Sequence, residues 1–186
     1  DMRVFLFIIV FFALSGASTG DSSKLTLIGI STGMSLDSGM KLVEKNLHLT
    51  DDYRRLNEVV EAEMAETFNA DLKKTIRLQA LSMPVNVELF TGKTKSIEMI
   101  HIYLTDNVWV DFEGKRIPLQ NFEDTKEKLS PIVKHCDSHS ILAQDSTGQI
   151  LQLDYVGRQL ESARLYRTLP RSGYLQAHKS ARAGSL

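Results

Sequence analysis

A chain of 186 residues with a single cysteine and a formal net charge of -1 excludes several classes at once. Cys136 alone can close no intrachain disulfide, and a near-neutral chain offers no electrostatic footprint for nucleic acid as its main partner. With 42 % hydrophobic and 24 % charged residues, the composition is that of an ordinary domain held together by its core.

Residues 1–20 carry eleven consecutive apolar side chains, Val4 to Leu14, behind Arg3 and ahead of Ser15-Gly16-Ala17. A basic residue, an apolar run of about 7–15 and small residues at a cut point make a secretory signal, cleaved after Ala17 or Gly20. A bilayer-spanning helix needs about 20 mostly apolar residues, which this run reaches only by enlisting Ser15 to Thr19. Signal peptide and transmembrane anchor both stand, and both export the rest of the chain. A disulfide-free exported chain without an Asn-x-Ser/Thr acceptor suits a bacterial periplasm.

Residues 21–50 read as a connector, with a short strand at Leu25, Leu27, Ile28 and Ile30 broken by Gly29, Gly33 and Gly39. Residues 51–83 read as a helical insertion. Thr50 or Asp51 can cap it, and Leu56, Val60, Met64, Phe68, Leu72 and Ile76 recur four apart as the stripe of a long amphipathic helix. Pro84 ends it.

Residues 84–169 are expected to form a compact domain. Val85, Val87 and Leu89 alternate with polar residues, Ile97–Leu104 is apolar on both faces, and Val108, Val110 and Phe112 alternate again before a turn at Glu113-Gly114. Asn121 can cap a helix carrying Phe122 and Leu129. Ser140–Ala143 reads as a strand. Ile150, Leu153, Val156, Leu160 and Ala163 fall at three- and four-residue steps, the spacing of a second helix, with a last strand at Leu165–Leu169. The sum is an α+β fold, a two-layer domain with a mixed sheet and two helices on one face. Residues 170–186, basic and without periodicity, read as a flexible tail.

Candidate chemistry is sparse. Gly92-Lys93-Thr94 lacks the earlier glycine of a phosphate loop, since Val87 holds that position. Met34–Gly39 reads as a Ser/Gly connector. His135, Cys136, Asp137 and His139 form the densest group of potential ligands, yet they come after Pro131 where helical geometry fails, so a polar loop is expected and no metal site. Asp145 reads as a cap. No nucleophile, base and oxyanion donors assemble, so neither catalytic residues nor a cofactor are expected.

The run FLFIIVFFALS, the alternating Val85, Val87 and Leu89, and the stretches IHIYLTDNVWVDFEGKRIPLQNF and SILAQDSTGQILQLDYVGRQLESA together resemble the ExbD/TolR family of biopolymer-transport membrane proteins. The likeness covers the leader and about residues 85–169, in patterns of hydrophobicity and turns. It implies an accessory subunit of a proton-motive-force-driven inner-membrane energy-transducing complex. Asp1 would be the proton-binding carboxylate, shielded by a multi-span proton-channel subunit because a charge in hydrocarbon is costly. A homodimeric periplasmic domain would couple proton flow to a periplasmic energy transducer. The residues also allow the alternative of a signal-cleaved, soluble exported binding protein without catalytic activity.

Overall fold

Alternation of apolar and polar side chains governs most of the chain beyond residue 53, and it builds strands. The computed structural model describes residues 23–48, 53–60, 62–68, 72–80, 86–103 and 107–168. Its elements run β1 (Thr26–Leu27), α1 (Leu36–Asn46), β2 (Tyr53–Val59), α2 (Ala62–Thr67), β3 (Lys74–Ala80), β4 (Asn86–Thr91), β5 (Ile97–Tyr103), β6 (Trp109–Phe112) and β7 (Lys115–Pro118). Next come α3 (Phe122–Lys128), a short turn of tight helix at Ser130–Ile132, then β8 (Val133–Cys136), β9 (Ser140–Gln144), β10 (Gln149–Val156) and β11 (Gln159–Arg167).

Eight strands form one sheet in the order β2-β3-β4-β5-β11-β10-β9-β8, and every neighbouring pair is antiparallel. A second sheet, β1-β6-β7, is also antiparallel. Because successive side chains point to opposite sides, the large sheet has two distinct faces. On one, Leu78, Val87, Leu89, Ile100, Ile102, Leu151, Leu153, Ala163 and Leu165 join a single buried cluster with Leu27 of β1, Val43 of α1, Val110 of β6, Ile117 of β7 and Phe122 of α3. Ser35 caps α1 by accepting from the Ser38 N–H, and a Cβ at Gly39 would run into Ile97 Cδ1, which fixes how closely this helix seats on β5.

The second face is split. At one end Phe90, Met99, Ile150 and Tyr166 pack with Leu72, Val60 and the α2 residues Met64 and Ala65. Phe68 meets the Tyr166 ring edge-on at 5.3 Å. At the other end the same face is polar.

This overturns the expected α+β fold: among the described residues strand predominates, with an eight-stranded sheet and three helices. The long amphipathic helix expected over 51–83 is two strands around the six-residue α2. Steps of four are even steps, so they keep to one side of a strand as well as winding round a helix. The helix expected at 149–163 is the β10–β11 hairpin. Leu151, Leu153 and Tyr155 point inward, and Gly157 at φ 64 opens a two-residue turn between Val156 and Gln159. The sheet is antiparallel rather than mixed. Only α3 of the two expected helices forms, and Asn121 caps it by accepting from the Asp124 N–H. The connector at 21–50 contains α1, which its glycines and serines did not signal.

Among the described residues no helix is long and apolar enough to cross a membrane. The leader at 1–20, the cap candidates Thr50 and Asp51, Pro84 and the tail at 170–186 lie outside the described residues.

Candidate functional site

Strand register, not sequence proximity, assembles the most unusual grouping. Arg77 of β3 stands opposite Glu88 of β4, Glu88 opposite His101 of β5, His101 opposite Arg164 of β11, and Arg164 opposite Gln152 of β10. Five polar residues thus form one row across the second face of the sheet.

Glu88 is its centre and is only 6 % exposed. One carboxylate oxygen accepts from Arg77 Nε at 2.8 Å and the other meets His101 Nδ1 at 3.0 Å. Arg77 also reaches Glu58 of β2, Nη2 to Oε2 at 3.4 Å. Burial pushes the Glu88 carboxyl upward, but the hydrogen bonds from His101 and Arg77 outweigh it and hold the group below its ordinary value. The same contact with Glu88 raises Arg77 further.

An ionised Glu88 fixes the imidazole: Nδ1 carries the hydrogen and donates to the carboxylate. Nε2, at the far side of the ring, is buried with no hydrogen-bond partner. Tyr103, one residue pair along β5, stacks its ring at 4.8 Å and 37° from the imidazole. Burial, then the Glu88 charge, raises its hydroxyl. On the far side Arg164 donates to Asp154 Oδ2 at 2.7 Å, and Ser162 and Gln152 donate to the same carboxylate. The row and its neighbours therefore set two guanidiniums and three carboxylates around one unsatisfied nitrogen.

The residues singled out from sequence are dispersed. Asp1 lies outside the described residues. Asp145 occupies the β9–β10 turn, where it caps a hairpin and not a helix. Its carboxylate accepts from the Leu25, Thr147 and Gln149 N–H groups, from Thr147 Oγ1 and from Gln149 Nε2. Burial raises this carboxyl and these bonds, Leu25 foremost, bring it below its ordinary value. Gln149 completes the knot by accepting from the Thr32 N–H and hydroxyl. Such a fully satisfied network is structural.

His135 and Cys136 belong to β8, and Asp137 and His139 to the turn after it. His135 Nε2 stands 3.8 Å from Asp137, and Asp137 accepts from the His139 and Ser140 N–H groups. Among the described residues no three His, Cys, Asp or Glu side chains converge as a metal site would require. Gly92–Thr94 is the turn between β4 and β5. A cleft of about 410 Å³ lined by Asn121, Phe122, Glu123, Ser138, Gly157 and Arg158 includes none of the row.

Glu88, Arg77, Arg164 and Asp154 were not anticipated. Each sits at a polar position of an alternating strand, an ordinary solvated position by pattern alone. Their convergence exists only once the strand order is known. Comparison of the chain with protein-family models, curated proteins and solved structures gives no match.

Proposed function

We propose that the chain is an exported, non-catalytic binding module that receives a polar partner on the Glu88–His101 row. The observation that carries this reading is the oriented imidazole whose buried Nε2 has no partner. A buried polar nitrogen left unpaired costs about 1–3 kcal/mol, which a partner's polar group restores on binding. Binding rather than nucleophilic catalysis is supported because, among the described residues, no hydroxyl or thiol hydrogen-bonds Nε2.

A photo-crosslinking amino acid at Gln152, in the full chain expressed in its native host, tests the proposal. The expected result is an adduct of defined mass that disappears in His101→Ala and in Glu88→Gln, both with an unchanged circular dichroism spectrum. An adduct pattern indifferent to both variants, or no adduct, overturns it.

The apolar run Val4–Leu14 favours a second reading, the accessory subunit of a proton-driven inner-membrane complex. Under that reading the chain stays in membranes after an alkaline wash, and Asp1→Asn abolishes energised uptake. Under the binding-module reading, mature protein begins after Ala17 or Gly20 in the soluble fraction, and Asp1→Asn leaves uptake unchanged.

A further inference from the structure

The two edges of the large sheet differ. β8 is four residues long, carries Lys134 and has a register shift between Val133 and His135, devices that discourage further pairing. β2 is seven residues long, pairs with β3 in unbroken register, and among the described residues has no strand on its other side. Residues 55–59 are exposed, with Leu56 at 38 % and Val59 at 81 %. A long, flat, partly apolar edge is a template for another strand.

We infer that β2 pairs with β2 of a second copy, joining two sheets into one across a twofold axis at Leu56. Backbone geometry chooses the register. Val60 donates to the Lys73 carbonyl, so positions 54, 56, 58 and 60 direct their amides toward β3, and positions 53, 55, 57 and 59 direct theirs outward. A twofold axis perpendicular to the sheet keeps each face continuous, which requires opposed positions of equal parity. Centring on Leu56 satisfies this and engages the whole strand. It sets Leu56 against Leu56 and residues 53, 54 and 55 against 59, 58 and 57, so that no two residues of like charge stand opposed. Centring on position 55 sets arginine against arginine, and centring on 57 leaves residues 53 and 54 unpaired. Charge complementarity and strand length therefore select one register, and one occupant, a second copy of this chain. The edge meets the Glu88–His101 row at Glu58, which pairs with Arg77; crosslinking at Leu56 reads the edge and the photo-adduct at Gln152 reads the row.

The register makes Leu56 a directly opposed, non-hydrogen-bonded pair, with Cβ atoms about 4.5–5.5 Å apart, near enough for a disulfide after small adjustment. Residue 59 lies six residues from its own copy, roughly 20 Å along the strand. The test places Leu56→Cys or Val59→Cys in the full chain with Cys136→Ser and applies mild oxidation. Both positions are exposed, so folding is not at stake. The expected result is a disulfide dimer with Leu56→Cys formed at least tenfold faster than with Val59→Cys. Asn57→Arg, which opposes like charges at positions 55 and 57 twice over, should slow that crosslink severalfold. Equal crosslinking at both cysteines shows mere collision. No crosslink at Leu56→Cys shows that the edge is bare or holds a different chain. Either result overturns the inference.

Discussion

Glu113 stands at φ 50 and Gly114 at φ 72 in the two-residue turn joining Phe112 to Lys115, both in the left-handed region that a tight hairpin demands. Glycine adopts it freely, whereas a glutamate there costs about 1–2 kcal/mol. Asparagine tolerates the conformation, so Glu113→Asn should raise stability by about 1 kcal/mol, read as a higher urea midpoint at unchanged slope. A lowered midpoint would mean that the glutamate makes a compensating contact. Glu88 makes the opposite kind of contribution. Replacing it with alanine leaves His101 without its acceptor and Arg77 with Glu58 alone, and should cost about 1.5–3 kcal/mol at neutral pH. Its carboxyl is held below the ordinary value of 4.5. The folded state therefore binds that proton less tightly than the unfolded chain. Its stabilisation is complete above that value and fades as pH falls through the lower folded one. The gap between wild type and Glu88→Ala should close on acidification, and a gap that is constant with pH would sink the assignment.

At the scale of elements, the β9–β10 hairpin owes its shape to Asp145, whose carboxylate satisfies donors from the turn itself and from the distant Leu25. Asp145→Ala should therefore cost about 3 kcal/mol and free the segment around β1, seen as faster amide exchange at Leu25 and Thr32. Unchanged exchange there would mean that pairing with β6 and packing suffice to hold β1. The elements differ in how far they could be read from sequence. Strands at 86–91 and 109–112 come directly from alternation, those at 97–103 and 140–144 from short apolar runs, and α3 from Asn121. The segment 53–80 was not legible, because Val60, Met64, Phe68 and Leu72 do face one cluster, as the helical stripe implied, while belonging to strand ends and a short helix. For 149–163 the deciding signal was present in Leu151-Gln152-Leu153-Asp154-Tyr155, a strict alternation, and in Gly157, which interrupts any helix there. The polar row of the site could not be read at all, since no local pattern specifies that β5 lies between β4 and β11.

For the whole molecule, Tyr155 joins the large sheet to the elements that cover it. Its hydroxyl donates to the Leu119 carbonyl at 2.9 Å and its ring meets Phe122 edge-on at 5.1 Å. Burial pushes its hydroxyl up to about 12 from an ordinary 10.0. The folded state holds that proton more tightly, so the contribution is full below 10.0 and is lost as pH rises toward about 12. Tyr155→Phe should cost about 1 kcal/mol at neutral pH and make alkaline denaturation less steep between those values. An alkaline limb identical to wild type would place the sensitive group elsewhere. The knot at Asp145 and Gln149 has one more consequence, which concerns time. Leu25 leaves the ribosome well ahead of its acceptor, because its amide waits for a carboxylate 120 positions later. At about 5–20 residues per second, that gap is roughly 6–24 s of translation. β1 can pair with β6 before then, but its Leu25 amide stays without this acceptor until the β9–β10 hairpin emerges, so the knot closes only after most of the chain has been made.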